Sequence, residues 1–283
     1  MARKKEKRTV AVIHMNTPEL TEAAIMSLRK VGCEWPVVVF DNSQTVTYPA
    51  GEGMPERTVT ARPFKKRMAG VRVIDNTKGQ VVDFDDALAA FPDKHEAHGA
   101  VNLWGSDRHM ITVEKLFDLL PDGFLLLESD ILLRENPQVL WQEEYSFCGY
   151  VQQQQPGNPY HGQRILPMLC YLNVPRFRAE GVHYFDPDRS WMLHRGENNP
   201  QNWYDTGASL LEDVLTHKPR LKGLHVDIRP MVAHLGSGSW KDGEDLKRQA
   251  AWLKENEALW TTPAGEAAAG SKPRAGKRTN RKE

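Results

Sequence analysis

Apolar residues in this chain alternate between two spacings, and the alternation predicts its elements. Residues 9–15, TVAVIHM, are apolar at enough consecutive positions to form a strand covered on both faces. Thr17 is a natural helix N-cap with Pro18 at the first helical position, and Leu20, Ala24, Leu28 and Val31 recur at helical spacing until Gly32 ends the pattern. A second buried-type strand, PVVVF at 36–40, stops at Asp41-Asn42-Ser43. Strand, helix and strand within about 35 residues make a βαβ unit, whose parallel strands bring both carboxyl ends to one sheet edge. Ligands of open α/β sheets bind along that edge.

The rhythm continues. Residues 44–69 carry scattered Pro, Gly and Lys with little periodicity and are expected to be irregular, VRVID at 71–75 is a third strand ending on an acid, and VDFDDALAAF reads as an amphipathic helix start. Asp107 can cap a helix with Val113, Leu116, Phe117 and Leu120 on one face, after which Pro121-Asp122-Gly123 turns the chain into FLLLESD. Asn136-Pro137 predicts a short helix, 145–151 and 168–174 further strands, and 175–204 a long loop rich in Pro, Asn, Arg and aromatics. Thr206 is the expected cap of a helix that turns Leu210, Leu211, Val214 and Leu215 inward; LKGLHVDI then reads as a strand, AHLGSGSW as a loop and 243–260 as a terminal helix. The alternation predicts an α/β fold.

At 283 residues with 40% hydrophobic and 26% charged residues, the composition is that of a globular protein. No apolar run approaches the roughly 18 to 20 residues that span a bilayer. MARKKEKR has the charge of a signal n-region, but His14, Asn16 and Pro18 interrupt the apolar stretch behind it, so an unexported, cytoplasmic protein is expected. Cys33, Cys148 and Cys170 have no C-x-x-C spacing and suggest neither a disulfide framework nor a thiolate zinc site. The formal net charge of zero hides an uneven distribution: residues 1–8 carry +4 and residues 271–283 carry +5, which leaves −9 on the body. An acidic body argues against nucleic-acid binding, whereas basic ends suit either solubilising tails or peripheral contact with anionic lipid.

One stretch conflicts with its surroundings. GFLLLESDILL, 123–133, asks to be buried yet carries Glu128 and Asp130. Residues two apart in an extended strand share a face, and two neighbouring carboxylates repel unless a cation or protons neutralise them. A divalent ion such as Mg²⁺ or Mn²⁺ resolves the conflict through carboxylate oxygens. From the residues alone, acid-x-acid patterns are common, and the more ordinary reading places Glu128 at the sheet margin beside an arginine and makes Asp130 a turn cap.

VAVIHMNTPELTEAAIMSLRKVG, VVVFDNS and FLLLESDILL together resemble the glycosyltransferases of the GT-A fold, particularly the family-two-like group. These begin with a strand, an Asn/Thr-Pro-Glu-Leu-like helix start and a strand closing on Asp-Asn-Ser. The match is nearly continuous over 11–43, Glu128-Ser129-Asp130 stands where the family has Asp-x-Asp, and elsewhere the likeness is patchy. The resemblance implies one GT-A domain over 9–262, with a Rossmann-like, mixed and mainly parallel sheet flanked by helices, a nucleotide-binding half at 9–130 and an acceptor half at 131–262. Basic tails at 1–8 and 263–283 lie outside it. It also implies transfer of a sugar from a nucleotide-diphosphate donor, a UDP- or GDP-sugar, to a hydroxyl of a glycan, lipid-linked or protein acceptor, with inversion and with Mn²⁺ or Mg²⁺ as cofactor.

Carried over residue by residue, Asn16 and Thr17 would border the nucleotide pocket, and Asp41, with Asn42 beside it, would accept hydrogen bonds from base or ribose. Asp130 would ligate the metal, and Glu128, one methylene longer than the family's Asp, would hold ribose, the ion or its water shell. The family often completes this site with a later histidine. MVAHLGSGSW offers His234, with His225 as competitor, and the backbone and Trp240 of GSGSW could close over a diphosphate or sugar although the P-loop spacing is missing. Asp107 and His109, around Arg108, stand where the family contacts sugar or diphosphate. Asp205, after Trp203-Tyr204, is the leading base for the acceptor hydroxyl, with Glu212 and Asp213 as rivals and a plain capping role as the alternative. Two rival readings remain at this stage: a catalytically silent module that binds sugar nucleotide or a partner, and a sugar nucleotidyltransferase, whose glycine-rich Arg-x-x-Pro signature HMNTPEL lacks.

Overall fold

The computed structural model describes residues 8–48, 57–84, 86, 106–153, 163–186, 189, 206–236 and 243–261. In chain order the strands are β1 (Val10–His14), β2 (Val37–Asp41), β3 (Val46–Tyr48), β4 (Arg57–Val59), β5 (Val71–Asp75), β6 (Phe124–Glu128), β7 (Ile131–Leu133), β8 (Phe147–Gln152), β9 (Arg164–Leu172), β10 (Gly223–His225) and β11 (Val232–His234). The helices are α1 (Pro18–Lys30), α2 (Ser106–Leu119), α3 (Val174–Ala179), α4 (Ala208–Glu212) and α5 (Gly243–Glu255). Seven strands form one sheet in the order β5-β2-β1-β6-β9-β8-β10, in which β9 alone runs against the others. This is the expected mixed, mainly parallel sheet flanked by helices.

The leucine run is explained by burial on both faces. Phe124 and Leu126 join Ala11 and Phe40 under α2, which contributes Val113, Leu116 and Phe117. Leu125 and Leu127 join Val10, Val12, Val37 and Val39 under α1, which contributes Ala24, Ile25 and Leu28. Each of these leucines is fully enclosed, and burying one is worth roughly 1.5 to 3 kcal/mol. Four neighbouring parallel strands end in register on polar residues, His14, Asp41 and Asp75 opposite one another and Glu128 opposite Ile13. From β1 the chain passes to β2 on one side, while β6 lies on the other, so the strand order reverses between β1 and β6. That reversal marks the crevice of an open α/β sheet.

Several expectations shift. Within 44–69, β3 and β4 pair antiparallel, a hairpin too short to show a period. β9 begins at Arg164, and Asn173 caps α3 at the start of the expected loop, its side chain accepting from the Arg176 amide at 3.4 Å. The cap of α4 is Gly207 at φ 79° rather than Thr206, and a Cβ at 207 would collide with the Ile165 carbonyl, so glycine is required at that cap. α4 continues as a π-helix over Asp213–His217, and the wider turn rotates Leu215 outward to 62% exposure. Asp107 lies inside α2 rather than capping it. Ala233 and His234 belong to a strand, not a loop: β11 pairs antiparallel with β7, placing His234 opposite Ile131. Most of VDFDDALAAF, GSGSW after Gly236, and both tails apart from Arg8 lie outside the described residues. Among the described residues no helix is long and apolar enough to cross a membrane, and all three cysteines are free and buried.

Candidate metal centre

β6 ends at Glu128, and Ser129-Asp130 form a two-residue turn into β7. The carboxylates therefore do not share one strand face, but the turn still directs both to the same place. The β7–β11 pairing brings His234 there as well, helped by the Leu235 amide, which donates to the Asp130 carbonyl at 3.1 Å. One ligand atom from each of Glu128, Asp130 and His234 lies within 4.8 Å of the others, and His234 Nε2 stands 3.6 Å from Asp130 Oδ1. Opposite ligands of one small divalent ion stand about 4.2 Å apart, so modest side-chain rotation closes this set on a single ion. Two carboxylates and an imidazole suit Mn²⁺ and related ions. Asp130 is buried, Glu128 half-buried and His234 exposed, which leaves the site a path from solvent. Burial opposes protonation of His234, but its hydrogen bond to Asp130 and the charges of Asp130 and Glu128 outweigh this and hold its pKa above the ordinary value.

The other expected residues are placed differently. Asn16 and Thr17 follow β1 beside the reversal, and both are buried. Asn16 adopts φ 56°, a left-handed conformation that asparagine tolerates better than most residues. Its amide is committed within the protein, donating to the Gln44 carbonyl at 2.8 Å and accepting from the Arg62 amide at 3.0 Å. Thr17 makes no capping bond to α1; its hydroxyl lies 3.4 Å from that of Ser129. Asp41 accepts the Ser43 amide at 2.9 Å on one oxygen and the Phe64 amide at 2.7 Å on the other. Asn42 donates to Thr112 at 2.8 Å and accepts from Asn76 at 2.9 Å, tying α2 to the ends of β2 and β5.

His109 is half-buried on α2, where the side chain of Asp107 lies outside the described residues, as do Asp205 and Trp240 entirely. His225 is not part of the cluster: it ends β10, and its Nδ1 accepts the Val151 amide at 3.0 Å. Glu212 and Asp213, the rival bases, bind Arg189 at 2.8 and 2.9 Å. Partnering so many acids raises the Arg189 pKa despite the opposing effect of burial.

Sequence reasoning missed His14. It is fully buried at the end of β1, with Nδ1 2.7 Å from the Thr21 hydroxyl and Nε2 3.0 Å from the Arg62 carbonyl. These contacts fit a neutral ring that donates from Nε2 and accepts at Nδ1. A polar residue closing a buried-type strand was the available signal. Burial lowers its pKa, and the nearby Asp41 charge offsets this only in part. Below about pH 6.5 the unfolded chain takes up a proton that the folded one refuses. The stability due to neutral His14 is therefore full above that pH and is lost as pH falls towards the folded value. Between pH 7.5 and 5, the unfolding temperature of the wild type should fall more than that of His14→Gln. His234 titrates with the opposite sign but is present in both proteins; equal slopes would refute the assignment.

No protein-family model matches this chain, and neither does any curated protein. Solved structures do. The galactosyltransferase LgtC, in a complex with donor and acceptor sugar analogues, is similar over 91% of this chain and 98% of its own, at 11% identity and a TM-score of 0.46. The glycosyltransferase GlyE of Streptococcus pneumoniae TIGR4 covers 91% of this chain and 66% of its own, at 11% identity and a TM-score of 0.41. Mouse xyloside xylosyltransferase 1 covers 78% of this chain and 85% of its own, at 11% identity and a TM-score of 0.42.

Proposed function

We propose that the protein is a metal-dependent glycosyltransferase of the GT-A type that moves a sugar from a nucleotide-diphosphate donor to an acceptor hydroxyl. The observation that carries this reading is the convergence of Glu128, Asp130 and His234 at the carboxyl end of β6, beside the reversal of strand order. Asp130 and His234 hold the ion, with Glu128 completing the set or binding its water. When bound, a divalent ion offsets the charge that develops on a departing nucleoside diphosphate. Burial of Asp130 limits the side-chain freedom that metal binding would cost. In the inverting form of the reaction, the acceptor oxygen attacks the anomeric carbon, the bond to the diphosphate oxygen breaks, and Asp205 takes the acceptor's proton. The proposed donor is a UDP- or GDP-sugar.

Incubating the protein with a panel of UDP- and GDP-sugars, and measuring released nucleoside diphosphate with and without Mn²⁺, tests the reading. Release is expected with at least one donor, and excess EDTA should abolish it. Tight binding without turnover on the whole panel would instead indicate a silent module. Pyrophosphate formed from sugar phosphate and nucleoside triphosphate would indicate a nucleotidyltransferase.

A further inference from the structure

Helix α1 carries a buried hydroxyl whose second bond leaves the helix. Ser27 is fully enclosed, and its Oγ donates to the Ala24 carbonyl at 2.7 Å while accepting the Leu133 amide at 2.9 Å. The first bond is a common resting place for a helical serine and adds nothing to stability. The second answers a need created by β7. That strand bonds β11 along one edge, through the Leu235 amide to Asp130 and the Arg134 amide to Met231. In an antiparallel pair the intervening residues turn their amides to the opposite edge, so the Leu133 N–H points away from β11 and into α1. Burial there requires an acceptor, and Ser27 supplies it. Alanine is the better helix former, so a serine at this enclosed position is explained by the bond rather than by the helix.

The same helix touches the other end of this segment, where the Thr17 hydroxyl approaches Ser129 at 3.4 Å. Between the two contacts, Leu132 and Ala233 pack with Leu20 and Ala23 of α1 and Leu253 of α5, while Ile131 and Leu133 pack towards the main sheet. β7 is thus gripped on both faces, and its position along α1 is set by directional bonds at each end. Asp130 immediately precedes β7, and His234 lies across from Ile131, the first residue of that strand.

We propose that Ser27 is a positioning residue for the metal centre: through the Leu133 amide it fixes β7 against α1, and with it the separation of Asp130 and His234. This rests on the metal reading proposed above. Mn²⁺ binding to the metal-free protein, followed by electron paramagnetic resonance of the free ion, tests it without reference to activity. Ser27→Ala should weaken Mn²⁺ affinity about tenfold, the lower end of the cost of losing a group bonded directly to a metal ligand, because Ser27 acts through the Leu133 amide. Ser27→Thr, which keeps the hydroxyl, should stay within about twofold of wild type on the same scale. Val113→Ala, a core change on the opposite face of the sheet, should lower stability without changing the affinity. If Ser27→Ala does not fold, Ser27→Cys, of similar shape but with a weak acceptor, should show the same loss. A folded Ser27→Ala or Ser27→Cys with wild-type affinity overturns the positioning role while Asp130→Asn still loses the ion. If Asp130→Asn also binds as tightly as wild type, the metal reading falls with it.

Discussion

Asp130→Asn is expected to remove Mn²⁺ binding and sugar transfer together, while the unfolding temperature of the metal-free protein stays near that of the wild type. The two side chains have the same shape, so packing at the turn is kept and the change falls on charge and ligand strength. Residues that merely support a metal ligand cost 10- to 100-fold in affinity when removed, so loss of a direct ligand should exceed about 100-fold. His234 provides an internal check. Burial alone would lower its pKa, and Asp130 is the main group that raises it, so in the variant the His234 titration should move downward by NMR. Mn²⁺-dependent turnover at the wild-type level would remove Asp130 from the metal site.

Asp41→Ala is expected to produce the largest loss of stability. The carboxylate is buried, and each oxygen receives a backbone amide, from Ser43 and from Phe64. Hydrogen bonds to a charged group contribute about 1.5 to 3 kcal/mol each, so losing both should cost about 4 kcal/mol, a fall in unfolding temperature of roughly 10 °C for a chain of this size. Asp41→Asn is not a mild substitute, because its amide nitrogen would face one of the two backbone N–H groups. If the role of Asp41 were only to contact the base or ribose, donor affinity would drop with the unfolding temperature unchanged. The bonds to Ser43 and Phe64 make loss of stability the expected result for both variants.

The βαβ unit was legible because its signals are local. Thr17-Pro18 opens a helix, Gly32 follows it, and the apolar runs on either side are long enough to be buried on two faces. The importance of Glu128 and Asp130 was also legible, since two acids within a leucine run demand an explanation. Asn173 with Pro175 two residues on is the same kind of local signal, and it opens α3 where a strand end and a loop were expected. What escaped the sequence was short or non-local. β3, β4, β7 and β11 each have three residues, too few to display a period of two, and the pairing of β11 with β7 joins segments about a hundred residues apart. The π-helical turn that exposes Leu215 has no local signature either.

Local chemistry decided that this chain forms parallel strands with polar carboxyl ends and that one of them carries an acid pair, because strand burial and helix capping depend on neighbours within a few residues. Tertiary structure decided which polar residues meet. It brought His234 rather than His225 to Asp130, and it turned the side chains of Asn16, Asp41 and Asn42 towards backbone and side-chain groups of neighbouring segments. The reason is that a buried donor or acceptor must find a partner wherever the folded chain supplies one, and that partner is set by strand order and register rather than by distance along the sequence.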